Sequence, residues 1–307
     1  MDEPDAEGGY HSLSVKREGM KAMSLQNAVA ERVKAHKLLS ALIASTIAIG
    51  VIAVLIHAGL YFQRSALFDE LRPVSLKNCQ FSRFGGRNDG GYLLCENLLS
   101  EAKSAYSYGI KGEDNWGCDV SAKYKLPIHQ YDCFDTTRPV CAGAGVRFRF
   151  NEECIGSTRQ DIDGKPFDTL TSQIFRNGDQ NRKLVVKMDV EGAEWDSLLH
   201  TPDATLRDID QLVVEFHYVR YGLSDKLLLI RRLKTLFYIV NVHFNNFACR
   251  DRLSRLVPLS PFPSWAFQVV FVSKRLGTLD PETKKEAFRN PLESPDNPDA
   301  PDCQANW

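Results

Sequence analysis

The sequence predicts an α/β domain with a largely parallel sheet, preceded by one transmembrane helix. Three observations predict it. Short runs rich in β-branched and aromatic residues alternate with helical patterns through the middle of the chain, the signature of parallel strands joined by crossover helices. One block, Leu38 to Phe62 (LLSALIASTIAIGVIAVLIHAGLYF), contains no Asp, Glu, Lys or Arg. Acidic residues close three of the strands, at the edge where an open α/β sheet binds its ligands.

Composition bounds the rest. Of 307 residues 43% are hydrophobic and 25% charged, with 38 basic against 39 acidic side chains. That balance describes neither a disordered nor a fibrous chain and indicates no nucleic-acid partner. Four parts follow in order: a polar N-terminal tail (1–37), the apolar block (38–62), a folded domain (65–275) and a Pro- and Asp-rich tail (276–307). The domain is of ordinary single-domain size.

The apolar block is long enough to cross a hydrocarbon core of ~30 Å as a helix rising ~1.5 Å per residue. Its polar side chains are Ser40, Ser45, Thr46 and His57. A cleaved signal peptide carries a shorter apolar region nearer the N-terminus, so the block predicts a retained signal anchor with the bilayer as its partner. Arg32, Lys34 and Lys37 crowd the N-terminal flank, with Lys16, Arg17 and Lys21 behind them; Arg64, Arg72 and Lys77 follow the span. This bias predicts a cytosolic N-terminus and a lumenal or extracytoplasmic domain. All eight Cys lie after the span, an even number that suits an oxidising compartment. No CxxC pair occurs, so no zinc site is expected. Cys79 and Cys95 flank a Gly-rich turn and are placed to bridge a hairpin; the remaining pairings stay open.

Strands are predicted at Ala105–Ile110, Ile128–Asp135, Val146–Phe150, Leu184–Val190, Gln211–His217, Phe237–Phe244 and Ala266–Ser273. Helices fill Trp116–Tyr124, Phe167–Phe175 with Asp168 as a candidate N-cap, Trp195–His200 and Asp225–Leu236. No helical pattern separates the last two strands, which predicts a closing antiparallel hairpin. The C-terminal tail holds five of the fourteen prolines and the run ESPDNPDAPD, a composition that predicts disorder.

Asp135, Asp189 and Glu215 close or nearly close their strands and would converge on one crevice. In extended chain Lys187, Asp189 and Glu191 share a face, as do Glu215 and His217. The turn after the first strand, Tyr108-Gly109-Ile110-Lys111-Gly112-Glu113-Asp114, has glycines that let backbone approach a ligand, but it is not the G-x-G-x-x-G of dinucleotide binding. Its acids disfavour a pyrophosphate and suit a cationic sulfonium nucleoside, and an acid ending the second strand suits a ribose diol. The expected cofactor is S-adenosylmethionine.

Five segments carry a resemblance: RFGGRNDGGYLLC (Arg83–Cys95), YSYGIKGEDNWGCDVS (Tyr106–Ser121), HQYDCFDTT (His129–Thr137), VVKMDVEGAEWDSLL (Val185–Leu199) and QLVVEFH (Gln211–His217). From about Ser75 to Ser273 the chain resembles membrane-anchored methyltransferase-like proteins of the methyltransferase-like 24 type, relatives of the FkbM-type methyltransferases. The fourth segment is the most specific, similar to a K-x-D-x-E-G-x-E signature. The resemblance implies a Rossmann-like class I methyltransferase sheet of seven strands with an antiparallel last strand. It implies a methionine-end binding loop at Tyr108, Gly109, Gly112 and Glu113, a ribose-binding acid at Asp135, and a reaction side lined by Asp189, Glu191 and Gly192. O-methylation of an unknown acceptor is the expected reaction, with Asp189, Glu191 or His217 as candidate general base. Two other readings are an anchored glycosyltransferase using Asp189 and Glu191 as a metal-binding pair, and a non-catalytic cofactor-binding module.

Overall fold

A computed structural model of the chain describes residues 8–141, 145–219, 221–249, 260–282, 290–303, 305 and 307. The chain separates into two units, Met1–Leu60 and Tyr61–Trp307. Helix α1 runs from Gly8 to Glu70, longer than the expected span at both ends. Its stretch Asn27–Glu70 contains a window long and apolar enough to cross a membrane, none of it buried by protein. Two of its polar side chains bond back one turn: Thr46 Oγ1 donates to the Leu42 carbonyl (2.9 Å), and His57 Nδ1 stands 2.8 Å from the Ala53 carbonyl. Neither then needs water inside an apolar surround.

In the second unit the last turns of α1 bury Leu67, Phe68 and Leu71, and Glu70 accepts from Arg231 Nε (2.9 Å) and Lys234 Nζ (2.6 Å). A hairpin follows, β1 (Phe81–Gly85) and β2 (Gly91–Cys95), then β3 (Ser104–Tyr108), α2 (Asn115–Tyr124), β4 (Pro127–Tyr131) and β5 (Arg147–Asn151). Three short strands form a separate small sheet: β6 (Cys154–Ile155), β7 (Gln160–Ile162) and β8 (Lys165–Asp168). The chain continues through α3 (Leu170–Arg176), β9 (Leu184–Asp189), α4 (Ala193–His200), α5 (Asp203–Asp208), β10 (Ile209–His217), α6 (Leu223–Leu236), β11 (Phe237–Phe244) and β12 (Ala266–Ser273).

The main sheet has seven strands in the order β11-β12-β10-β9-β3-β4-β5. β5, β4, β3, β9 and β10 run parallel, and β12 is antiparallel to both β10 and β11. All seven expected strands are present, and the closing antiparallel pair is β11–β12. The central strands are apolar because both faces are covered: every residue of β10 and β12 is buried. On one face Leu93, Trp116, Val120, Val213 and Val270 join a common core with the hairpin. The hairpin is tied down by Gln211, whose side chain accepts from the Cys95 N–H (2.9 Å) and donates to the Cys95 carbonyl (2.8 Å). On β10 and its helices, Trp195 packs against Phe216 (4.1 Å between rings).

Four disulfides join Cys79–Cys95, Cys118–Cys141, Cys133–Cys154 and Cys249–Cys303, taking up all eight cysteines. The first is the expected hairpin bridge.

Three expectations are corrected. Phe167 and Asp168 belong to strand β8, and the N-cap of α3 is Thr169, whose Oγ1 accepts from the Ser172 N–H (3.1 Å). Asp168 instead receives Ser172 Oγ and Arg176 Nη1, both at 2.9 Å. Strand β4 stops at Tyr131, so Asp135 lies in the following loop rather than at the strand end. The described part of the C-terminal tail is packed rather than disordered, whereas 283–289, 304 and 306 lie outside the described residues. Glu293 accepts from Arg83 Nη1 (2.9 Å) and Asn241 Nδ2 (2.6 Å), and Asp296 faces His243 Nε2 (3.2 Å) and Gln268 Nε2 (3.3 Å). Both acids are nearly fully buried, and a ring stack of Trp307 on Phe68 (4.3 Å) lies beyond the Cys249–Cys303 bridge. Complementary polar groups on β11 and β12 supply what the tail's composition lacks in apolar surface.

Candidate functional site

The strand order reverses between β3 and β9, and the carboxyl ends of these strands open onto a cleft of about 430 Å³. Asp89, Gly109, Glu113, Asp135 and Asp189 line it together with Lys111 and Lys187. The two strands approach so closely at their ends that only glycine fits at 109. Its φ is +69°, and an added Cβ would lie 1.6 Å from the Asp189 carbonyl oxygen. Lys187, buried in mid-strand, donates to the Tyr108 carbonyl (3.1 Å) and the Gly109 carbonyl (2.9 Å), and its Nζ is 3.6 Å from Asp189. The contact with Asp189 is the longest of the three; the main work of Lys187 is to hold the turn after β3.

The turn is clamped from the other side by an acid that sequence reasoning passed over. Asp132 Oδ2 accepts from the N–H groups of Ile110 (3.1 Å) and Lys111 (2.8 Å), and Oδ1 from those of Phe134 and Asp135. This carboxylate, one residue past β4, sets the path of both cleft-lining loops. Asp135 is then free to face the cleft, its Oδ2 3.4 Å from where a Cβ on Gly112 would stand. Hydrogen bonds from Thr137 hold the Asp135 carboxyl below its ordinary value. Asp114 caps α2 and is consumed by structure, accepting from Gly117 N–H (2.9 Å), Ser107 Oγ (3.0 Å) and Gln130 Nε2 (2.7 Å).

Of the residues expected to hold a cofactor, Gly109, Glu113, Asp135 and Asp189 line the cleft. Tyr108 does not: its ring is fully buried and stacked on Tyr131 at 4.9 Å, and its carbonyl accepts from Lys187 Nζ. Gly192 is not among the residues lining the cleft or a second cavity that adjoins it; it is the N-cap of α4, with φ +112°. Its N–H donates to Glu194 Oε2 (2.8 Å).

That second cavity, about 180 Å³, shares Asp89 and Asp189 with the cleft and adds Glu191, Glu215, His217 and Trp265. Here the three candidate bases do come together. His217 Nε2 is 3.8 Å from Asp189 Oδ1, 3.7 Å from Glu191 Oε2 and 3.8 Å from Glu215 Oε1. The parallel register that pairs Glu215 with Asp189 is the reason. Asp189 Oδ2 accepts from Tyr92 Oη (2.9 Å), and Glu215 accepts from Asn245 Nδ2 (2.8 Å) and Gln268 Nε2 (3.2 Å). Behind His217, the fully buried Glu194 accepts from the His217 N–H (2.6 Å) and faces Nδ1 at 3.3 Å. Glu194 is therefore a partner of His217 as well as an acid in the first turn of α4.

Burial pushes the Glu215 carboxyl up, and the neighbouring Asp189 charge adds to it. Burial alone would lower His217, but the Glu194 hydrogen bond and the surrounding carboxylates outweigh it and raise the imidazole. Asp89 is also raised, first by burial and then by Asp296 and Asp189. Asp189, Glu215 and His217 each offer one ligand atom within 4.8 Å of the others. Glu194 is the last acid of the K-x-D-x-E-G-x-E pattern, and Asp89 and Tyr92 lie within RFGGRNDGGYLLC, but the residues alone assign none of them a role at the site; Asn245 lies outside all five segments. No family model, curated protein or solved structure matches this chain.

Proposed function

We propose that this chain is a membrane-tethered, S-adenosylmethionine-dependent methyltransferase that methylates an oxygen acceptor. The observation that carries the reading is the acid-lined cleft at the point where strand order reverses, with the glycine turn and the neighbouring Asp135 in its lining. The seven-stranded sheet with its antiparallel β12 supports it, being the arrangement that the methyltransferase resemblance implies.

The residues present fit the cofactor. The cleft lies within the usual range of small-ligand sites, about 300–1,000 Å³. Asp135 would hold the ribose hydroxyls, and the main chain from Gly109 with Glu113 would hold the methionine end. When bound, the cofactor supplies an electrophilic methyl on a sulfonium. An acceptor hydroxyl held in the second cavity would be the nucleophile toward that methyl, its oxygen gaining the bond to carbon that sulfur gives up. The hydroxyl proton passes to a carboxylate, for which Glu191 at the cavity rim is placed.

Cleft charge speaks against the glycosyltransferase reading. Asp89, Glu113, Asp135 and Asp189 outnumber Lys111 and Lys187, and the Lys187 amine is spent on two carbonyls, so a nucleoside diphosphate without its own cation meets repulsion there. The four disulfides and the basic flank before the apolar helix support an extracytoplasmic domain with a cytosolic N-terminus. In sealed membranes the domain should resist added protease; digestion from the cytosolic side would reverse that topology. A thermal-shift titration tests the cofactor. At 100 times the dissociation constant, S-adenosylmethionine should stabilise the protein by about 2.7 kcal/mol, raising its midpoint by about 5–10 °C. No shift at any concentration would remove the reading.

A further inference from the structure

Glu215, His217 and Asp189 do not form an ordinary ion-pair cluster. His217 is 3% exposed, and among the described residues its Nε2 has no hydrogen-bond partner. It points instead into the second cavity, with Asp189 Oδ1 and Glu215 Oε1, the oxygen that also accepts from Asn245 Nδ2, each at 3.8 Å. These separations are too long for hydrogen bonds, and they approach the spacing of about 3–3.5 Å between donors that share one cation at ~2.1 Å.

The surroundings of the trio make the same point independently. The other ring nitrogen, Nδ1, faces the buried carboxylate of Glu194, the outer partner that a metal-ligating histidine characteristically has. Asp189 is oriented through its other oxygen by Tyr92 Oη, and Glu215 by Asn245 and Gln268. His217 and Asp189 are thus fixed through their other polar atom, and Glu215 through both oxygens, its Oε1 keeping a second lone pair toward the same point. The cationic side chains close to the trio are His217 itself and Lys187, whose amine is committed to the carbonyls of Tyr108 and Gly109.

We propose that Asp189, Glu215 and His217 bind a divalent cation, and that its open positions receive the hydroxyl of the acceptor. One imidazole with two carboxylates selects a first-row ion such as Mn²⁺ or Zn²⁺ over Ca²⁺. The cation offsets the carboxylates gathered around the cavity and polarises the acceptor oxygen. Trp265, in the cavity wall and stacked on Tyr218 at 4.9 Å, gives that acceptor a flat apolar side to lie against. The metal site stands on this geometry alone, and its use in acceptor binding rests on the methyltransferase reading.

The test is a Mn²⁺ titration of the full-length protein in detergent, without methyl donor, followed by electron paramagnetic resonance. The expected result is uptake of one equivalent, with spin-echo modulation from one directly bound imidazole nitrogen. His217→Gln should abolish that modulation, and Asp189→Asn, at a partly exposed position, should weaken uptake at least about 10-fold. Glu194→Gln keeps all three ligands and should weaken uptake about 10-fold to 100-fold. No uptake below about 1 mM Mn²⁺ would overturn the proposal. So would uptake without imidazole coupling, or uptake indifferent to all three variants. The wild-type spin-echo result needs no variant to fold. Cofactor binding, read separately by thermal shift, can fail without touching this outcome, and the reverse holds equally.

Discussion

Gly109→Ala tests whether the contact between the ends of β3 and β9 shapes the cleft. Two costs fall on the new methyl. A φ of +69° disfavours any L side chain by about 1–2 kcal/mol. The Cβ would also stand 1.6 Å from the Asp189 carbonyl oxygen and 2.7 Å from its carbon, backbone atoms that move only if a strand end moves. Overpacking of that kind costs about 1–3 kcal/mol. Gly178→Ala separates the two, because Gly178 has a similar φ of +74° and nothing within 4 Å of an added Cβ. Thermal and urea unfolding of the full chain should show a loss of about 3 kcal/mol for Gly109→Ala, a midpoint lower by about 6–12 °C. Gly178→Ala should lose only about 1–2 kcal/mol. Equal losses for the two variants would refute the claim that the strand ends are in contact there.

Glu293→Ala should destabilise by about 3–5 kcal/mol in denaturant unfolding, because it leaves the Arg83 guanidinium and the Asn241 amide without their buried acceptor. A loss under about 1 kcal/mol would mean that the C-terminal segment does not pack as described. Asp179 gives a pH signature away from the site. Burial would raise its carboxyl, but His129, Arg182, Ser104 and Tyr106 outweigh it and hold the carboxyl well below its ordinary value. A depressed folded value means that its stabilisation is complete above the unfolded value of about 3.9 and is lost as pH falls through and below it. Asp179→Asn should therefore be less stable at neutral pH and show a flatter decline below about pH 4 in acid unfolding. His243 has the opposite sign: burial lowers it, but the Asp296 hydrogen bond and Glu293 raise it. Its stabilisation is full below about pH 6.5 and lost as pH rises through the raised value, a dependence that Asp296→Asn should remove from the unfolding curve.

What was legible in the sequence follows from which signals are local. β9, β10 and β12 each carry an apolar run, Leu184–Val186, Leu212–Val214 and Val269–Val272, because the sheet is covered on both faces, and such runs announce themselves. The acids Asp189 and Glu215 stand out for the same reason, as charges ending apolar strands. The small sheet β6–β8 was illegible because its strands are two to four residues long and Gln160–Ile162 is wholly exposed, so no period marks it. Composition misjudged the tail because Glu293 and Asp296 find their partners more than 50 residues away on β11. The role of Tyr92 was likewise hidden, since it reaches Asp189 across 97 residues, whereas Glu194 stands in the K-x-D-x-E-G-x-E pattern and only its contact with His217 needed the fold. Asp132 and Asp135 are three residues apart, and only the end of β4 at Tyr131 decides which one braces the turn and which one faces the cleft.

The central claim is that the cleft between β3 and β9 binds S-adenosylmethionine with Asp135 on the ribose. Calorimetric titration of the full-length protein and of Asp135→Ala tests it most directly. The account predicts one saturable site in the wild type, weakened about 10-fold to 100-fold by Asp135→Ala through loss of charged hydrogen bonds, with the unfolding midpoint of the free protein unchanged. No binding heat in the wild type, or equal affinity in the two proteins, would contradict it.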